Sequence, residues 1–185
     1  MSGMKRALFI LVLLMVAAGG LAFYVFRPHG GKLPPEVMTA LKESEKLTLY
    51  SIDFQAFEES SFHDIRFHGN RILGETVITS AETRRQVARV IQKGVKAWDG
   101  SLYHCFNPRH GLRVIRGAAV YDLLICFECQ QIQIFDGEVI AGEVKVHETM
   151  LDSTGIGGPA DGLNEILRAA HIPLEPPEPS PAVNH

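Results

Sequence analysis

The chain has no surplus of basic residues. Its 18 Lys+Arg stand against 21 Asp+Glu, a formal net charge of −3. With Lys5, Arg6 and Arg27 set aside, residues 28–185 keep 15 of the basic residues and all 21 acidic ones, a formal charge of −6. Nucleic-acid binding needs concentrated positive charge, so that class of partner is excluded from the expectation. Cysteine is scarce as well. There are three, with a single Cys-x2-Cys pair where two would make a stronger zinc signal. None lies near the apolar N-terminal segment, which removes a lipoprotein reading. No internal repeat is visible. Thr154-Gly155-Ile156-Gly157-Gly158-Pro159 lacks the Lys-Ser/Thr that completes a phosphate loop, so it reads as a turn-rich loop.

The chain does carry an uncharged run from Ala7 to Phe26, 20 residues long. At about 1.5 Å per residue it spans about 30 Å, one hydrocarbon core. Lys5 and Arg6 precede it, and Phe23, Tyr24 and Phe26 supply an interfacial aromatic end. The basic flank belongs inside, so the expectation is a single-pass inner-membrane protein with a cytoplasmic tail (1–6) and a transmembrane signal anchor (7–26). The domain then faces the periplasm or the exterior. The rival is a signal peptide cleaved at Ala17-Ala18-Gly19-Gly20, which gives a secreted domain. The apolar run continues past those small residues, which favours the anchor.

Residues 27–34 read as a linker, 35–172 as one domain and 173–185 as a proline-rich disordered tail. Pro34 and Pro35 open a short helix over 35–46, because a first-turn proline forfeits no intrahelical hydrogen bond. Leu47–Phe54 alternates as a strand, 55–64 is a polar loop, and Ile65–Thr79 is strand material broken at His68-Gly69-Asn70 and at Gly74. Ser80 caps the clearest helix. Val87, Val90, Ile91, Val95 and Trp98 line one face of it, and Arg85, Arg89, Lys93 and Lys96 the other. That basic stripe is either a solvated back face or a contact for anionic lipid or an acidic protein.

A hairpin of Leu112–Arg116 with one long strand, Val120–Phe135, follows. Val139–Val146 adds another strand, and a final helix runs through Leu163, Ile166, Leu167 and Ala170 to Pro173. The expected fold is α+β: an antiparallel sheet gripping one long helix on one face, with a further C-terminal helix, behind the N-terminal transmembrane helix.

Chemistry concentrates in two motifs. The first is Cys105-Phe106-Asn107-Pro108-Arg109-His110-Gly111 and the second Cys126-Phe127-Glu128-Cys129. Cys105, His110, Cys126 and Cys129 have the ligand types of a closed zinc site. A regular strand, however, sends Cys126 and Cys129 to opposite faces unless a bulge or turn intervenes. Thioredoxin-like redox chemistry needs a helix N-terminus at the first cysteine, and Leu123–Phe127 is strand-like instead. Outside the cytoplasm, Cys105 paired with Cys126 or Cys129 is the simpler reading, with one thiol left buried. Arg109 and His110 follow a rigid proline turn. Either Arg109 pairs with Glu128 or Asp122 while His110 bonds a backbone carbonyl, or the two form a small anion site with Arg109 as bidentate clamp. A hydrolytic use of the same pair requires an open pocket at that turn.

The stretch from Cys105 to Arg113, followed by Asp122–Cys129, resembles a group of bacterial proteins of uncharacterised activity that share a CFxPRH…ICFEC pattern. Phe67–Gly74 is similar to a segment those proteins also carry. The resemblance implies that both motifs belong to one shared domain and carries no catalytic role with it. The expectation is therefore a membrane-anchored extracytoplasmic binding or structural module with structural cysteines and no cofactor. The alternative is a thiol- or zinc-centred enzyme or sensor built on Cys105, His110, Cys126 and Cys129. Candidate binding residues are Arg109, His110 and Glu128.

Overall fold

Strand β1 (Lys46–Asp53) is buried along both faces from Leu47 to Ile52, which is what a central strand requires. The computed structural model describes residues 32–54, 65–98, 105–137, 139–145 and 158–174. The expected cytoplasmic tail, signal anchor, 55–64 loop and most of the linker, glycine-rich loop and proline-rich tail lie outside these residues. No helix among them is long and apolar enough to cross a membrane.

Around β1 stand β2 (Arg66–Phe67), β3 (Asn70–Ile78), β4 (His110–Arg116), β5 (Ala119–Cys126), β6 (Gln131–Asp136) and β7 (Val139–Lys145). They form one curled antiparallel sheet of seven strands, in the order β2-β3-β1-β4-β5-β6-β7. Because β1 runs antiparallel to both β3 and β4, those two are parallel to each other with β1 between them. No hairpin can join them, and a crossover helix must. That helix is α2 (Ala81–Ala97). Ser80 caps it by accepting from the Thr83 N–H, as its sequence predicts.

Helix α1 (Pro35–Glu43) and helix α3 (Pro159–Ala169) flank α2 on the same side of the sheet. Val87, Ala88, Ile91, Gly94 and Val95 of α2 are buried, whereas Arg85, Arg89, Lys93 and Lys96 are exposed. Leu41, Leu47, Leu49, Ile91, Leu112, Leu123, Ile125, Ile132, Ile134, Leu163 and Leu167 form the fully shielded centre of this layer. Each such side chain contributes about 1.5–3 kcal/mol relative to exposure.

Three local readings need correction. The long strand expected over 120–135 is two strands, because residues 127–130 turn and Gln130 takes a φ of 54°. Gly74 does not break β3. It lies inside the strand, and a Cβ there would come within 2.8 Å of Ile172 Cγ2. Helix α3 ends before Pro173, in a turn where Ile172 N donates to Leu167 O and His171 N to Arg168 O, with His171 at a φ of 57°. This left-handed stop delivers Ile172 onto Gly74.

The sheet is covered on its other face too. Tyr50, Ile52, Phe67, Leu124 and Phe135 make a second, smaller cluster there, joined by Ile72 and Phe106. Gly111 is required by it: a Cβ would sit 2.8 Å from two Phe67 ring carbons and 2.9 Å from Ile52 Cδ1. This second cluster positions the candidate site.

Candidate functional site

The two cysteine motifs meet beside the second cluster. Strand β5 stops at Cys126, and the following turn closes with Gln130 N donating to Phe127 O. The turn overrides strand alternation, so Cys126 and Cys129 do not diverge. Cys129 N lies 2.9 Å from the Cys126 sulfur. Cys129 forms a disulfide with Cys105, with a Cα–Cα distance of 5.6 Å. Asn107 N approaches the Cys129 sulfur at 3.4 Å, so the Cys105–Pro108 segment is laid across the turn. Cys126 is a free, buried thiol. Burial is the main reason that its pKa is raised to about 11, against a slight lowering by the Cys129 N–H.

The candidate binding residues do not gather into one site. Arg109 NH2 lies 3.5 Å from Glu128 Oε2, and its guanidinium stands 5.8 Å over the Phe54 ring. His110 is directed instead to the helical side. It is 4% exposed, and its Nε2 lies 2.8 Å from Asn164 Oδ1 on α3. Its ring meets Phe127 edge-on at 5.8 Å. The expected backbone-carbonyl partner is thus a side-chain amide. Burial lowers the His110 pKa to about 4, with the Asn164 bond opposing that shift and nearby Arg109 adding to it. Among the described residues, no group of three or more His, Cys, Asp or Glu is arranged to hold a metal ion.

What the structure does assemble is a cleft of about 470 Å³ on the face opposite the helices. Its apolar wall includes Phe54, Phe106, Leu124, Phe135 and Ile140, and its polar wall His68, Asn70, Asn107 and Gln133. Strand alternation explains the set: Leu124 and Phe135 point here because Leu123 and Ile134 point to the helices. The β2–β3 connection is a two-residue hairpin, His68-Gly69, with φ of 47° and 84°. Positive φ at both residues is the geometry that matches strand twist. Asn70 Nδ2 holds it by donating to His68 O at 3.0 Å.

Behind His68 lies a buried carboxylate with a half-exposed arginine partner. Asp122, 2% exposed, accepts from Arg113 Nε at 2.8 Å and from Arg113 NH2 at 2.6 Å. This bidentate fork is the strongest form of such a pair. Its Oδ2 also meets His68 Nε2 at 2.7 Å. With the carboxylate as acceptor, Nε2 is the donor of this bond. The ring is clamped further by stacking on Phe135 at 3.8 Å and by the edge of Phe67 at 4.9 Å. Phe67 in turn stacks on Tyr50 at 4.5 Å and lies 5.3 Å beneath Arg113. Burial is the largest influence on Tyr50, whose pKa is raised. An imidazole held by three partners at the wall of a cleft is a pre-oriented hydrogen-bonding group.

Sequence reasoning passed over His68 because it sat in an apparent strand break. The signal was His-Gly between two apolar runs, which is hairpin chemistry. Compared with protein-family models, curated proteins and solved structures, the chain matches none.

Proposed function

We propose that this chain is a membrane-anchored extracytoplasmic binding module. In this reading its ligand site is the His68 cleft and its cysteines are structural. The observation that carries it is the placement of the two motifs. The bridged Cys105–Cys129 pair holds Phe106, Asn107 and Pro108 as one wall of a cleft. A disulfide on an otherwise irregular segment has a purpose if that segment must keep its shape for a ligand. The bridge suits an oxidising compartment.

The wall chemistry supports an uncharged ligand. The described lining residues include no Asp, Glu, Lys or Arg, and His68 Nε2 is committed to Asp122. Among the described residues, the arginines near the cleft are already paired: Arg113 with Asp122, Arg71 with Asp53 and Arg109 with Glu128. A charged ligand would lose its hydration without gaining a counter-ion. Ring faces beside three amides and an imidazole instead suit a small molecule with an apolar face and a hydrogen-bonding edge. The thiol-based alternative has less support, since a thiol with a pKa near 11 is protonated at neutral pH.

The test is chemical-shift mapping of the full chain in micelles against two fragment sets, one uncharged and one ionic. Uncharged fragments are expected to shift Phe54, His68, Asn107, Gln133 and Phe135 together. No clustered shifts, or clustered shifts with ionic fragments alone, would overturn the proposal.

A further inference from the structure

We infer that the outer face of α2 docks on anionic lipid headgroups, so that the domain lies on its own membrane with the helices down and the cleft facing away. The inference rests on the anchor reading of residues 7–26. Arg85, Arg89 and Lys96 are exposed along one face of α2, at four- and seven-residue spacings, one and two helical turns, that align a helical stripe. The domain is otherwise acidic, at −6 over residues 28–185 (15 Lys+Arg against 21 Asp+Glu), so this stripe runs against the general charge.

A second, independent observation is where the chain leaves the tether. Lys32 and Lys96 flank the same crevice of about 300 Å³ between α1 and α2, together with Leu33, Met38 and Val95. The start of the described domain therefore sits beside the last turn of α2. Only residues 27–31 separate Lys32 from the expected end of the anchor at Phe26. The six steps from Phe26 to Lys32 reach at most about 22 Å when fully extended. On the anchor reading, the basic end of α2 is thus held within a few screening lengths of the headgroup layer, each about 8 Å at physiological salt. Held there, a basic stripe meets a surface of opposite charge at high local concentration.

Orientation follows from the fold. The buried side of α2 packs on the sheet through Val87, Ile91 and Val95, and the cleft opens on the far face of that sheet. Docking the stripe therefore leaves the cleft on the sheet face away from the lipid.

The chain contains its own reporter. Trp98 is the single tryptophan and is the C-cap residue of α2. The experiment places the full chain in nanodiscs carrying a headgroup-spin-labelled lipid, in phosphatidylcholine alone or mixed 3:1 with phosphatidylglycerol. Trp98 quenching is expected only with phosphatidylglycerol, and 0.5 M salt should abolish it. The Arg85→Gln/Arg89→Gln/Lys96→Gln variant should shift the docking equilibrium roughly 100-fold, at about fivefold per charge. Equal quenching in both lipids, or none in either, overturns the docking while leaving the anchor intact. Release of the chain from membranes by alkaline carbonate refutes the anchor and the docking together.

Discussion

His110 makes the fold acid-sensitive by a route that can be isolated. Its folded pKa of about 4 lies below the ordinary 6.5 because burial disfavours the charged ring. The unfolded chain protonates this histidine as pH falls through 6.5, and the folded chain does not until about 4. The unfolded state thus binds more protons in that window, and stability declines across it. The contribution is complete above pH 6.5 and is lost progressively toward pH 4. A shift of this size corresponds to about 3 kcal/mol. Carboxylates also titrate near the lower end, so the wild-type curve alone does not isolate the effect.

The comparison variant is His110→Leu, which leaves those other groups in place and removes the titrating ring. It also strips Asn164 Oδ1 of its partner, so its stability at pH 7.5 should be lower by about 1–3 kcal/mol. Urea denaturation from pH 7.5 to 4 should show the wild type losing about 3 kcal/mol more than the variant, so that the two curves converge. Parallel curves would mean that His110 binds its proton equally well in the folded and unfolded chain, and the burial argument would fail.

Removing the bridge with Cys105→Ser/Cys129→Ser should cost about 3.5 kcal/mol in urea denaturation, from a sequence separation of 24 residues. Iodoacetamide should alkylate native Cys126 at pH 8 at least tenfold more slowly than the unfolded thiol, read by mass spectrometry, because burial holds it protonated. Asp122→Asn should lose about 2–3 kcal/mol in thermal or urea unfolding, since it weakens the acceptor shared by Arg113 and His68. Gly111→Ala should cost more than Gly74→Ala, by roughly 1–2 kcal/mol. The new methyl at 111 meets the stacked Phe67 ring, whereas at 74 it meets the flexible end of Ile172.

The amphipathic pattern of α2 and its Ser80 cap were legible because helix periodicity and capping are local properties. The α+β class was legible for the same reason, from segments whose periods differ. The split of the 120–135 region was not. Leu123–Cys126 on one side and Ile132, Ile134 and Phe135 on the other are apolar around a four-residue turn that contains neither glycine nor proline, so composition offers no punctuation there. A left-handed Gln130 closes the turn instead. Gly74 misled for a different reason: its glycine answers Ile172, almost a hundred residues away, and no local rule sees that contact. The candidate site moved for similar reasons. Arg109 and His110 are adjacent in sequence, and adjacency on a strand separates them, since Arg109 pairs with Glu128 and His110 bonds Asn164. Asp122 and Phe135 are cross-strand partners on β5 and β6, and His68 reaches them from the far edge because the sheet curls.

The most direct test of the central claim, a bridged motif wall beside one sequestered thiol, is disulfide mapping of the purified full chain. Free thiols are alkylated in denaturant without reduction, and the digest is then analysed. The account predicts a linked Cys105–Cys129 peptide pair and a singly alkylated Cys126. A Cys126–Cys129 link, or three alkylated cysteines with a metal lost on denaturation, would contradict it.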